Sequence, residues 1–147
     1  MSSFVGHTLI GTALALRKNK LNSMRAFVQL GFLIGLAISP DVDYLMRWLG
    51  YGSHIRWTHS IGYCLLVGMV AWVAESFLLK NWLGNIPTQL VFAIPFSHLI
   101  LDLLVAVHPM PLFWPLTTTT IVLPLGVLPS AGQINWLNYY FWRNLAI

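Results

Sequence analysis

The sequence predicts an all-α integral membrane bundle of about four transmembrane helices, followed by an irregular proline-rich segment and a short C-terminal interfacial helix. Three observations carry that expectation. Charged residues make up 8% of the chain, against about 25% in an ordinary soluble domain, and apolar residues reach 57%. Four apolar segments stand apart: Phe4–Leu16, Ala26–Ser39, Ser60–Leu79 and Ile86–Val107. The last two have the ~20 residues that cross a hydrocarbon core about 30 Å thick. The first two are shorter and span only with snorkelling flanks or a thinned bilayer. At 147 residues the chain, residues 1–147, is one domain with no room for a second core.

The elements follow in order. Ser2 and Ser3 give a polar start with no basic stretch before the first apolar run, so no cleavable signal peptide is expected. Arg17, Lys18, Lys20 and Arg25, with Asn19 and Asn22, form a polar loop between two antiparallel helices. The second helix should stop near Pro40, because proline disfavours helical geometry in the residue before it. Gly50, Gly52 and Ser53 mark a loop, and Thr58 is the expected N-cap of the third helix. That helix ends around Lys80, and Gly84, Asn85 and Pro87 turn the chain. A fourth helix runs from about Thr88 to His108, with a kink at Pro95. The stretch "MPLFWPLTTTTIVLPLGVLP" has four prolines and suits an extended or re-entrant segment packed on the bundle. The final "NWLNYYFWRNLAI" has the Trp and Tyr of a membrane interface.

Alternating helix direction then gathers the polar residues. The start of helix 1 holds His7, and the end of helix 2 holds Asp41 and Asp43. Helix 3 opens beside His54 and His59, and the second half of helix 4 carries His98, Asp102 and His108. All five histidines and three of the four acids therefore fall at one end of the bundle. His98 and Asp102 are four apart and stack on one helix face. Asp41 and Asp43, leaving a proline in extended backbone, would point the same way. Imidazole plus carboxylate without thiolate suits zinc, manganese or iron better than magnesium. Ionisable groups in or beside a bilayer are costly and mark function. Glu75, the fourth acid, lies sixteen residues beyond His59, near Lys80 and the opposite interface, and reads as a paired or solvated interfacial carboxylate.

The remaining charges concern topology. A net charge of +4 without a basic face fits lipid headgroups and excludes a nucleic-acid partner. Arg17, Lys18, Lys20, Arg25 and Lys80 lie opposite the polar cluster, so the positive-inside rule puts the cluster on the non-cytoplasmic face. Arg47 and Arg56 lie with it, either to bind a phosphate or to snorkel to headgroups. Cys64 is the single cysteine, which rules out an internal disulfide.

The ordered motifs His7, "SPDVD", "HIRWTHS", "HLILDLL" and "PLFWPLT" resemble a family of membrane-bound metal-dependent hydrolases that includes LexA-regulated inner-membrane proteins. The likeness runs from His7 to about Thr117. It departs at Ile55, where the family usually has arginine directly after the first histidine of the third motif; here Arg56 follows instead. More distantly, "HLILDLLVAVH" is similar to a His-x-x-x-Asp-x-x-x-x-x-His stretch of zinc-dependent phospholipase C and P1-type nucleases. Those enzymes carry a later His-x-x-x-Glu that this chain lacks, so one or two ions are expected and not three.

The resemblance implies hydrolysis of a phosphoester in a lipid or other amphiphilic substrate by metal-activated water. His7, Asp41, His59, His98 and Asp102 would be the ligands. Asp43 would be a further ligand, a bridging carboxylate or the group that orients the water, and Arg56 would offset charge on a phosphoryl oxygen. The cofactor would be a divalent metal, zinc first and manganese or iron next, in an inner-membrane protein whose partners are membrane lipids. Two other readings stand beside this one. An ion in transit through a transporter would call for ionisable residues through the bilayer depth, and a structural metal would staple the helix ends together.

Overall fold

A computed structural model of the chain describes residues 4–16, 23–51, 55–105 and 108–123. In order, these form α1 (Phe4–Leu16), α2 (Met24–Ile38), a 3-10 turn (Ser39–Asp41), α3 (Val42–Trp48), α4 (Ile61–Val73), a π-helical turn (Ala74–Leu78), α5 (Lys80–Leu83) and α6 (Thr88–Val105). Among the described residues there is no β-sheet, only an isolated antiparallel bridge between Met110 and Ile121. The fold is a helical membrane bundle. Its core is made by Leu33, Leu36 and Ala37 of α2, Ala71 of α4, and Val91 and Ile94 of α6, closed off by Leu83 and Ile86. Leu65, Leu66, Met69 and Val70 of α4 and Ile100 of α6 lie exposed on the outside, where lipid would cover them.

Three helical stretches are long and apolar enough to cross a bilayer: Met24–Trp48, Ile61–Leu78 and Thr88–Val105. A fourth span is not supported among the described residues. The 13 residues of α1 rise about 20 Å at 1.5 Å per residue, short of the hydrocarbon thickness. This helix instead lies against α2, where an added Cβ at Gly11 would sit 3.0 Å from the Leu33 carbonyl oxygen.

As expected, α2 stops just before Pro40, at Ile38, but the chain does not become extended there. Ser39 stays helical (φ −57°, ψ −34°), Asp41 follows at φ −77°, ψ 3°, and the helix resumes as α3. Tertiary contacts override the local bias. Ser39 Oγ donates to the Leu36 carbonyl at 2.8 Å, and the Tyr63 hydroxyl, 24 residues away, donates to the Ser39 carbonyl at 3.1 Å. Asp41 and Asp43 therefore sit on a tight helical turn and not on extended backbone.

Ser60, not Thr58, caps α4. Its φ of −130° and ψ of 155° are those of an N-cap, and its Oγ accepts from the Tyr63 amide at 3.1 Å. Thr58 is spent elsewhere, with its Oγ1 3.2 Å from His59 Nδ1. At the far end Glu75 is 8% exposed, so of the two expected states, paired or solvated, the carboxylate is not the solvated one. The π-helical turn tucks it inward, where Oε1 accepts from the Ile86 amide at 3.4 Å and Oε2 from Ser76 Oγ at 3.3 Å. Gln29 donates to the Leu83 carbonyl, tying α2 to the same corner. Gly84, at a φ of 67° that side chains rarely adopt, ends α5 there. The helix α6 continues through the buried Pro95, whose carbonyl accepts from Cys64 Sγ at 3.4 Å.

The segment after Pro109 packs on the bundle. The Ile61 amide donates to the Leu112 carbonyl at 2.9 Å, and Trp114 lies 5.6 Å, ring to ring, from Trp57. The contact is close at Gly62, where an added Cβ would stand 2.7 Å from the Trp114 carbonyl oxygen. Gly62→Ala must push this backbone away, at a cost of about 1–3 kcal/mol. Thermal unfolding in detergent, read by tryptophan fluorescence, is expected to show the lowered midpoint. The proposed C-terminal interfacial helix lies outside the described residues, as do Arg17, Lys18, Lys20 and His54.

Candidate metal centre

Four separate pieces of chain deliver the polar residues to one point. The helix α1 brings His7, the turn after α2 brings Asp41, the loop before α4 brings His59, and α6 brings His98 and Asp102. His7, His59 and His98 are essentially buried, and the side chains of Asp41 and Asp102 are 16% and 11% exposed.

Two groups of donors result: His7, His98 and Asp102, and Asp41, His59 and His98, with the donor atoms of each lying within 4.8 Å of one another. His7 Nε2 is 3.3 Å from Asp102 Oδ1. His59 Nε2 is 3.3 Å from Asp102 Oδ2 and 3.5 Å from Asp41 Oδ1. His98 Nε2 is 3.5 Å from Asp41 Oδ1 and 3.7 Å from Asp102 Oδ2. These separations exceed the usual 2.7–3.2 Å of a hydrogen bond. They match the spacing of two ligands about 2.0–2.1 Å from one tetrahedral ion, which lie about 3.4 Å apart.

His98 is oriented for such a role. Its Nδ1 is 2.7 Å from the Ala37 carbonyl oxygen, which can only accept, so Nδ1 carries the proton. Nε2 is left as a buried lone pair with no hydrogen bond, facing the two carboxylates. A second nitrogen held by a backbone carbonyl is the usual support for a metal-binding imidazole. The residues present therefore fit a divalent ion.

Ring geometry separates the two groups. His7 and His98 stack with centroids 3.6 Å apart and planes 12° apart. Imidazole lone pairs lie in the ring plane, so an ion shared by two parallel rings would be out of plane for both. His59 and His98 cross at 70° and can aim at one point. Asp41, His59 and His98 thus make the better single-ion set, and Asp102 joins it to His7, one oxygen toward each group.

Asp43 joins neither group. Its Oδ2 accepts from Arg56 Nε at 3.0 Å and lies 3.7 Å from His59 Nδ1, behind the ring. Arg56 then reaches past it: Nη2 donates to His59 Nε2 at 2.6 Å, and the guanidinium carbon sits 5.0 Å from the Tyr44 ring centre. Burial disfavours a charged His59, but the facing carboxylates of Asp102 and Asp41 outweigh it and raise its pKa. A proton, Arg56 and an ion therefore compete for the same lone pair.

Charge balance points the same way. With neutral imidazoles, the carboxylates of Asp41, Asp43 and Asp102 face the single guanidinium of Arg56, which leaves two negative charges in a largely buried site. Uncompensated charge is expensive there, and one divalent cation removes it.

His108 stands apart. The last described residue of α6 is Val105, and His108 lies in a bend beyond it, exposed to solvent. The expected extension of helix 4 to His108 is thereby corrected. Sequence reasoning gave Tyr44, the Ala37 carbonyl and, beyond capping, Thr58 no part in the site, because none of them carries a metal-ligand signature; Asp43 and His59, next to Tyr44 and Thr58, were the only hints.

Outward apolar helices and an imidazole–carboxylate cluster at one end define a helical membrane protein with a candidate metal centre. The chain belongs to the YdjM inner membrane protein family, whose model matches residues 1–145. No curated protein and no solved structure matches it, and the distant likeness to phospholipase C and P1-type nucleases has no counterpart in these comparisons. Family and spans together make this an inner-membrane protein.

Proposed function

We propose that the protein is a membrane-bound metal-dependent hydrolase that cleaves a phosphoester of an amphiphilic substrate. The observation that carries this reading is the buried pair of donor groups sharing His98, with donors at 3.3–3.7 Å and Arg56 alongside. Asp41, His59 and His98 would hold the ion, and Asp102 would link them to His7, where a second ion would bind. Zinc suits this donor set best, with manganese and iron next. Such an ion would supply the acidification of water, toward a pKa of about 7, and the polarisation of the ester.

The chain's own residues do the rest. The water oxygen attacks phosphorus, the phosphorus–oxygen bond to the alcohol breaks, and the departing alkoxide takes a proton. Asp102 accepts the one proton the water loses and hands it to the departing alkoxide, while Asp41 stays with His59 and His98. Arg56, fixed by Asp43, balances the charge that gathers on the phosphoryl oxygens. Ser60 has no part as a nucleophile, since its hydroxyl caps α4.

The site sits on the non-cytoplasmic face in this reading, because Arg25 and Lys80 lie at the other end of the bundle. Purified protein in detergent should release product from phospholipid or lipid-phosphate substrates, stop when the metal is chelated and resume when zinc returns. Asp102→Asn is expected to lower turnover at least ~100-fold, since ligand loss exceeds the 10–100-fold cost of second-shell changes. Bound metal without turnover of any phosphoester would instead support the structural staple, and metal flux into vesicles without turnover the transporter.

A further inference from the structure

A cavity of about 270 Å³ opens beside the cluster, on the far side of Arg56. Its polar lining comes from separate parts of the chain: Arg47 and Tyr44 on α3, Arg56 before α4, and His108 and Thr120 on the segment after α6. None of the described lining residues is acidic. Every one of these side chains can donate a hydrogen bond, and the two guanidiniums carry positive charge.

We infer that this cavity is a phosphate-binding subsite, in which Arg47, Arg56 and His108 take the anionic phosphate group of an amphiphile or of a free phosphate compound. Guanidinium groups match phosphate oxygens in shape and charge, and charge-assisted bonds of this kind are about twice as strong as neutral ones. The cavity falls just below the about 300–1,000 Å³ of sites for drug-sized ligands, so it holds a headgroup and leaves any acyl chain outside. Trp48 and Tyr51, 81% and 80% exposed, follow Arg47 in the chain and have the residue types that anchor at a membrane interface. A headgroup and a dissolved phosphate both reach such a level.

Arg56 belongs to the cavity and the cluster alike, through Nε on Asp43 and Nη2 on His59. Partial burial and then the charge of Arg56 depress the pKa of His108, so this ring serves as a neutral hydrogen-bond donor and the two arginines carry the positive charge. This subsite deepens the hydrolase reading and rests on it for the fate of the bound group. The binding itself depends on the cavity's own cations.

The test is a calorimetric titration of the full chain in non-ionic detergent with inorganic phosphate and, separately, with short-chain phosphatidic acid; short-chain phosphatidylcholine is the zwitterionic control. Each is run before and after metal removal. Wild-type protein is expected to bind at least one phosphate probe saturably, with or without metal. Arg47→Ala/His108→Ala should weaken binding about 30-fold or more with metal content unchanged, about tenfold for the lost charge-assisted guanidinium contact and a few-fold for the imidazole hydrogen bond. Arg47→Gln alone, at an exposed position, tests the same point in a variant whose folding is not at risk, with an expected loss of about tenfold. Binding of phosphatidic acid only identifies the headgroup as the natural source, and equal binding of inorganic phosphate identifies a free phosphate compound. Binding that vanishes on chelation but survives both variants would put the phosphate on the metal and overturn the subsite while sparing the hydrolase. Absence of phosphate binding, or equal binding of phosphatidylcholine, would overturn it as well. A protein that binds phosphate through these residues yet holds no metal would keep the subsite and sink the hydrolase.

Discussion

His98→Ala is expected to strip the protein of its metal. His98 is the only residue common to both donor groups, and its Nε2 is a fully buried lone pair without a hydrogen bond. Second-shell changes at metal sites cost 10–100-fold in affinity, so removal of a shared ligand should cost more than ~100-fold. Elemental analysis of the purified variant should find metal at background, against at least one ion per chain in the wild type. Loss of the imidazole also deletes the bond to the Ala37 carbonyl that ties α6 to α2, so the variant should unfold more easily. His98→Gln, which can still donate to that carbonyl, should recover stability without recovering metal.

Arg56→Ala should have the largest effect on stability. The guanidinium and the Asp43 carboxylate are 10% and 8% exposed and 3.0 Å apart. Breaking a buried pair by removing one partner costs about 3–5 kcal/mol, because the other charge stays buried alone. The variant should nonetheless keep its metal, since the His59 lone pair is released from Arg56. Turnover should fall, and the double variant Arg56→Ala/Asp43→Asn should regain most of the lost stability, since no charge is then stranded. Chemical unfolding of the four proteins in a double-mutant cycle would measure the coupling; an Arg56→Ala variant as stable as wild type would mean that the pair is solvated and not buried.

The centre was legible in the sequence to the extent that helix direction alternates. His98 and Asp102 lie one turn apart on α6, and three further chain segments had to return to the same end, which is how His7, Asp41 and His59 come to meet them. Details set by contacts distant in sequence were hidden. Pro40 ends α2, but the bonds of Ser39 Oγ to the Leu36 carbonyl and of the Tyr63 hydroxyl to the Ser39 carbonyl accompany a tight helical turn there that the sequence does not signal. Thr58 and Ser60 are both competent caps, and the choice fell to Ser60 once Thr58 was committed to His59. Glu75 looked interfacial by its position along the helix, but a π-helical turn rotates it inward onto the Ile86 amide. The short α1 was expected to span only with snorkelling flanks or a thinned bilayer, and its 13 residues, packed beside α2, leave three helices long enough to cross unaided. The Arg56–Asp43 pair escaped for a similar reason: residues in a loop carry no periodicity from which their direction can be read.

The most direct test of the metal centre is anomalous diffraction from crystals of the metal-loaded protein, recorded on both sides of the zinc absorption edge. The structure predicts a peak about 2.0–2.2 Å from His98 Nε2, with a carboxylate oxygen of Asp41 or Asp102 and a second imidazole completing the set. A peak lying elsewhere in a fully loaded crystal, or protein that takes up no zinc, manganese or iron at all, would contradict it.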